Sequence, residues 1–162
     1  MGVASFDYWI VSRVTWLAPM IHDENIESQK IGIAMTEETR ALFEERFGLT
    51  DPYRVKREEL LKDDKVFLRE MSNLGPPRDD DGKVDRATWV FWWCMILDTH
   101  LPIIANYGRY PYRNAILGRE STAAENRWLD DTSHIAEAPA DVAARIKSDI
   151  AKGIWTPLGQ SA

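Results

Sequence analysis

Asp85-Arg86-Ala87-Thr88-Trp89-Val90-Phe91-Trp92-Trp93-Cys94-Met95-Ile96-Leu97-Asp98-Thr99-His100-Leu101-Pro102-Ile103-Ile104-Ala105-Asn106-Tyr107 is the stretch that decides the fold. Its middle is apolar on nearly every face of a helix, the pattern of a helix buried on most sides. Asp85 or Thr88 suits the N-cap, and Gly108 suits the position just past the end. Pro102 lacks an amide donor and crowds the carbonyl of Asp98, so the helix is expected to kink or break near His100. The continuous apolar run, Trp89 to Leu97, is shorter than the roughly 20 residues a bilayer span needs, so no membrane is expected as a partner.

The rest of the chain reads outward from that helix. Upstream, Phe6, Trp9, Ile10, Val14 and Leu17 recur at three- and four-residue spacing, predicting a helix over Ser5–Leu17 that Pro19 ends. A second helix opens between His22 and Glu27 with Asp23 as its cap. Its stripe of Ile26, Ile33, Leu42, Phe43 and Phe47 runs to Gly48, with a break expected between Thr36 and Thr39. Val55–Met71 reads as an exposed, partly amphipathic helix, and residues 73–84 as an exposed loop insertion whose prolines, glycines and aspartates exclude regular structure. Asp79-Asp80-Asp81 is contiguous and lacks the alternate spacing of a calcium loop.

Downstream, Thr122-x-x-Glu125 is a capping box that opens a short helix to Leu129. Pro139–Lys152 is the last helix, striped by Val142, Ile146 and Ile150 and ended by Gly153. The tail over 153–162 is expected to dock through Trp155 and Leu158. Nothing alternates with the two-residue period of a strand. The expected fold is all-α, one helical domain over 1–162.

Composition narrows the function classes. The chain of 162 residues carries a net charge of −6, which argues against non-specific binding to nucleic acid or anionic membrane. Cys94 is the lone cysteine, so no internal disulfide forms, and a cytoplasmic location is expected. The first residues lack the basic n-region of a secretory signal. No P-loop, dinucleotide fingerprint or nucleophile elbow is present, so no cofactor is expected.

Three groups of residues could carry chemistry. The first is the stretch from Asn106 to Glu125, bracketed by Gly108 and Gly118. There Arg109 and Arg113 could clamp a carboxylate or phosphate, Arg119 and Asn114 add donors, and Tyr110 offers a ring. The same arginines could equally bind helix-end carbonyls, and Asn114 could tie off a turn. The second is His22-Asp23-Glu24 with Asp98 and His100. His22 and His100 suit general acid–base work, while their spacing matches no metal motif and none is expected to be bound. The third is Cys94, whose apolar neighbours keep a thiol protonated and inert.

Two of these stretches resemble a known family. Tyr107-Gly108-Arg109-Tyr110-Pro111-Tyr112-Arg113-Asn114-Ala115-Ile116-Leu117-Gly118-Arg119-Glu120-Ser121-Thr122 resembles the closing motif, F-G-R-F-P-H-R-N-x-x-L-G-R-x-S-T, of the domain-of-unknown-function family number nine hundred and twenty-four. Pro19-Met20-Ile21-His22-Asp23-Glu24-Asn25 with Gln29 is similar to its P-L-x-H-S-E-D…Q motif. His100-Leu101-Pro102-Ile103-Ile104 is similar to its H-x-x-I-I. The resemblance covers about Tyr8 to Asp130, with an insertion at Val55–Val84, and corresponds to the family's C-terminal half only. It implies a tetratricopeptide-like helical array and no known reaction. Tyr112 stands where the family has histidine, and the family's earlier motifs are missing. A halved array exposes an apolar face, so a homodimer or a second chain completing the array is expected.

Together these readings give a small-molecule enzyme or binding protein acting on an anionic or polar ligand in an inter-helix pocket. His22 and His100 would move a proton; Arg109, Arg113, Asn114, Arg119 and Glu24 would hold the ligand; Trp92 or Tyr110 would cover its apolar part. The alternative is a non-catalytic helical scaffold that binds a protein partner.

Overall fold

The computed structural model describes residues 3–66, 76 and 78–155. Among them every regular element is helical and none is a strand, so the fold is all-α. The chain divides into two compact units, Met1–Arg109 and Tyr110–Ala162.

The first unit is built on three helices: α1 (Val3–Ile21), α2 (Ile26–Phe47) and, after a 3-10 turn at Arg54–Lys56 and the single turn α3 (Arg57–Leu60), α4 (Arg86–Asp98). Arg13 meets Glu38 and Thr39 while Ile21 meets Gly32, so α1 and α2 run antiparallel. Phe43 packs edge-on to Phe91 and Arg40 reaches Asp98, so α4 also runs antiparallel to α2. Ile10, Val14, Leu17 and Ile21 of α1 close this core against Phe43, Val90, Cys94 and Leu97. Gly32 lets α1 and α2 approach closely, since a Cβ there would lie 2.5 Å from Ile21 Cδ1.

Several boundaries differ from the sequence expectations. α1 does not stop before Pro19 but carries it inside its last turn. Pro19 is exposed, and the burial of Leu17 and Ile21 on either side holds the helix together past the missing donor. Asn25, not Asp23, caps α2: its Oδ1 accepts from the amides of Glu27 and Ser28, and Asp23 instead accepts from the Ser28 hydroxyl. No break occurs between Thr36 and Thr39: α2 runs on unbroken, and both hydroxyls bond back to the carbonyls one turn earlier, Gly32 and Met35, instead of capping a new helix. Of the helix expected over Val55–Met71, the described residues show the 3-10 turn, α3, an interruption over residues 61–65 and helical backbone again at Val66, and residues 67–75 lie outside them.

The apolar stretch does break where Pro102 requires. α4 ends at Asp98, Thr99 and His100 form a tight turn, and α5 (Leu101–Tyr107) restarts with Pro102 in its first turn, where the missing amide donor costs no helical hydrogen bond. Asp85 caps α4 by accepting from Thr88 N. Ala87–Tyr107 is long and apolar enough to cross a membrane by length and composition, and 72% of its apolar window is buried inside the protein.

The second unit starts with two 3-10 turns, Pro111–Arg113 and Ala115–Leu117, followed by α6 (Ala123–Asp131) and α7 (Ala140–Lys152). The Thr122–Glu125 capping box is formed in both directions. α6 buries Glu125, Trp128 and Leu129, and packs on the first 3-10 turn. α7 packs on the second and has no fully buried residue. Between them Ser133, His134 and Ala136 take left-handed backbone, at φ 55, 53 and 60. Trp155 is 82% exposed rather than docked: the turn at Gly153 satisfies the last carbonyls of α7 locally and leaves the ring in solvent. Leu158 lies outside the described residues.

Candidate functional site

In the first unit two histidines 78 positions apart in sequence are brought together. His22 follows α1 directly, in the turn after Ile21, and His100 sits at the break between α4 and α5. Their rings lie 5.0 Å apart, centroid to centroid, at 73°, edge to face. His22 is exposed and His100 is buried.

Both imidazoles are oriented in the same way. His22 Nδ1 lies 2.7 Å from the carbonyl of Ala18, and His100 Nδ1 lies 2.9 Å from the carbonyl of Ile96. A carbonyl only accepts, so each Nδ1 carries the proton and donates it. In each neutral ring Nε2 is then the basic nitrogen. Each ring is thus held by its own helix, one turn back.

The turn that carries His22 is pinned from below. Gln29 is fully buried, and its Nε2 donates to the carbonyls of Ile21 and Asp23, the residues on either side of His22. Glu24 lies half-buried on the same turn. Spacing alone gave no reason to single out Gln29 for this task, although it closes the motif that contains His22.

Two residues before His100, Asp98 belongs to a buried ionic cluster rather than to any metal-like set. Arg40 has no exposed side-chain surface; its guanidinium donates to Asp98 and, at 2.5 Å, to Asp51. Arg57 approaches Asp98 at 3.2 Å. Burial pushes the Asp98 carboxyl above the usual carboxylate range against the pull of Arg40 and Arg57, and among the described residues its Oδ1 has no hydrogen-bond partner. An outer belt completes the cluster. Glu44 accepts from Arg54 Nε and Asp51 N, each at 2.8 Å, and the hydrogen bond from Arg54 brings its carboxyl down to about 2. In the sequence Arg40 looks like one more charge on a charged helix. Nothing local marks it as the buried one.

Of the remaining residues expected in a site, Trp92 is buried with Leu60, Val66, Met95 and Ile96, a packing position in the core. Arg109 follows the left-handed turn at Gly108 and is half-buried at the end of the first unit. Cys94 is fully buried, and burial raises its thiol to about 12, so it is inert as a nucleophile at neutral pH.

In the second unit the arginine-rich stretch is ordered by its own turns. Arg113 lies 4.5 Å over the ring of Tyr110 and 5.8 Å from that of Tyr112. Tyr110 is fully buried. Asn114 is also buried; its carbonyl accepts from Leu117 N and Arg119 N, and its side-chain amide donates to Ser121 Oγ at 3.0 Å. Arg119 reaches back to the carbonyl of Tyr110 at 3.5 Å. Asn114 therefore ties the two 3-10 turns together, one of the two roles its sequence position allowed.

A family model described as "Bacterial protein of unknown function (DUF924)" matches residues 4–133, most of the chain, and the chain belongs to that family. No curated protein and no solved structure matches it.

Proposed function

We propose that this chain is a small-molecule enzyme or binding protein acting on a polar or anionic ligand, with the His22–His100 pair as its proton-transfer centre. The observation that carries the reading is the pair itself. Two imidazoles meet at 5.0 Å, each held through Nδ1 so that Nε2 is the base, and one of the two is exposed. A general base needs a lone pair held in a known direction, and this arrangement supplies it. Glu24 and Arg109, in the same unit, are our candidates for ligand contacts.

Long-range 1H–15N imidazole spectra test the orientation, with both rings expected as the Nδ1–H tautomer. A thermal-shift screen with inorganic phosphate, citrate, glucose 6-phosphate and glutamate then tests binding. Rings that populate the Nε2–H tautomer, with no thermal shift from any probe, would sink the reading.

A scaffold is the second reading, and one observation favours it. Tyr8 and Trp16, two turns apart on α1, are 76% and 77% exposed. We read the α1–α2 hairpin as part of a tetratricopeptide-like array corresponding to the family's later half, completed by a homodimer partner or a second chain. We place the protein in the cytoplasm on the strength of its single, buried cysteine. Sedimentation of wild type and Trp16→Ser separates the readings, since a scaffold of this kind loses its association with that ring.

A further inference from the structure

α6 ends in a left-handed turn that contains no glycine. Ser133 N donates to the Asp130 carbonyl at 3.1 Å and His134 N to the Leu129 carbonyl at 2.8 Å, a closure that usually places glycine where Ser133 stands. Ser133, His134 and Ala136 instead hold φ 55, 53 and 60. A Cβ disfavours that backbone, so the link over residues 132–139 keeps its shape only where other contacts hold it.

His134 supplies those contacts. Its Nδ1 lies 2.7 Å from Glu137 Oε2, and its Nε2 lies 3.2 Å from Asp130 Oδ1. A carboxylate only accepts, so both contacts are hydrogen bonds only when both ring nitrogens carry protons. The neutral ring keeps one donor and turns a lone pair towards the other carboxylate. The imidazolium also lies just past the C-terminus of α6, where the helix dipole favours a cation. The hydrogen bond to Glu137 raises the ring above its ordinary value of 6.5, and Asp130 adds to the rise. The other elements beside the ring bring no titratable group to it: the cavity of about 540 Å³ that His134 and Glu137 line is walled by Ala115 of the second 3-10 turn and by Ala140 and Ala143 of α7. Glu137 also lines a neighbouring cavity with Arg119, Glu120 and Lys147, where Lys147 is paired with Glu120.

We propose that His134 is a pH-responsive latch on the link between α6 and α7. The imidazolium closes the link. Loss of one ring proton opens it and removes the wall that His134 and Glu137 give the cavity. A ring that holds its proton more tightly when folded stabilises fully below its unfolded value and loses that effect as pH rises through the folded one. The latch is therefore shut below 6.5 and opens as pH rises through the raised value. It lies within the second unit and does not rest on the histidine pair.

Nuclear magnetic resonance of the full chain between about pH 5.5 and about pH 9 is the test. The His134 ring is expected to titrate with a midpoint above 6.5, and the 13Cα shifts of Ser133 and Ala136, which report φ, to follow the same midpoint. At the alkaline end those shifts are expected to reach the values found in His134→Gln, where they stay constant across the range. Glu137→Gln is expected to lower the ring midpoint by at least about 0.5 pH unit, since the amide carries no charge to favour the imidazolium. A wild-type midpoint at or below 6.5 overturns the proposal, as do 13Cα shifts of Ser133 and Ala136 that ignore the ring, or an unchanged midpoint in a folded Glu137→Gln. The wild-type titration decides the matter if either variant proves unstable.

Discussion

α4 and α7 are both thirteen residues long, yet α4 buries every residue from Cys94 to Asp98 whereas α7 buries none. α4 is apolar on nearly every side of its middle and is enclosed by α1, α2 and α3. α7 has the cleaner division into faces, with Val142, Ile146 and Ile150 along one side and charges around the rest, and packs on a 3-10 turn of three residues. Amphipathic patterning says which face of a helix turns inward. How far that face is buried depends on how much surface the partner offers, and a three-residue turn offers little.

The comparison can be broken at the buried end of α4 first. Arg40→Met would leave Asp51 and Asp98 buried without their shared cation. Loss of about 3–5 kcal/mol of stability is expected in urea unfolding. A loss below about 1 kcal/mol would mean that Asp98 is carried neutral and that the ionic cluster does not anchor α4.

Acid probes the belt around the same cluster. Glu44 titrates at about 2 in the folded chain, against an ordinary value of 4.5. A carboxylate depressed in this way stabilises above its unfolded value, and the stabilisation is lost as pH falls from 4.5 towards 2. The expected contribution is about 2 kcal/mol, and Glu44→Gln should flatten the fall in the urea midpoint between about pH 6 and about pH 3. An unchanged pH profile in that variant would remove Glu44 from the account.

Under α7 the expected effects are smaller. Gly118 has φ 65, and a Cβ there would lie 2.6 Å from Ile150 Cδ1. Gly118→Ala should therefore cost about 1–2 kcal/mol, read as a loss of helix signal or amide protection in the second unit. Adding Ile150→Ala should recover the part due to the clash and leave the part due to φ. Ile154, 54% exposed beyond the end of α7, should tolerate Ser within about 0.5 kcal/mol by thermal melting. A loss above about 1 kcal/mol would show that this side chain has a partner and would narrow the contrast with α4.

Much of the local structure was legible in the chain. The proline-induced break near His100, the Thr122–Glu125 box, and the helix ends at Gly48, Gly108 and Gly153 are all present. Each depends on groups within about four residues of one another, where spacing determines contact. Pro19 does not end α1, because the buried Leu17 and Ile21 around it hold the last turn, and that burial is not visible in local spacing. The helix expected over Val55–Met71 is interrupted over residues 61–65, where a rough apolar stripe among many charges also suits turns held by the buried Leu60 and Val66.

The candidate site divides along the same line. Residue chemistry and motif order drew attention to His22 and His100, but they could not place two rings 5.0 Å apart or fix which nitrogen of each is basic. Arg40 shows the limit most sharply: its partners Asp51 and Asp98 lie 11 and 58 positions away. By itself the sequence determined an all-α chain, where most of its helices begin and end, and an inert Cys94, because backbone hydrogen bonds, caps and local polarity act between near neighbours. Only the tertiary structure decided which charges are buried together, which histidines meet and which apolar faces stay in water, because those outcomes depend on side chains that come together only when the helices pack.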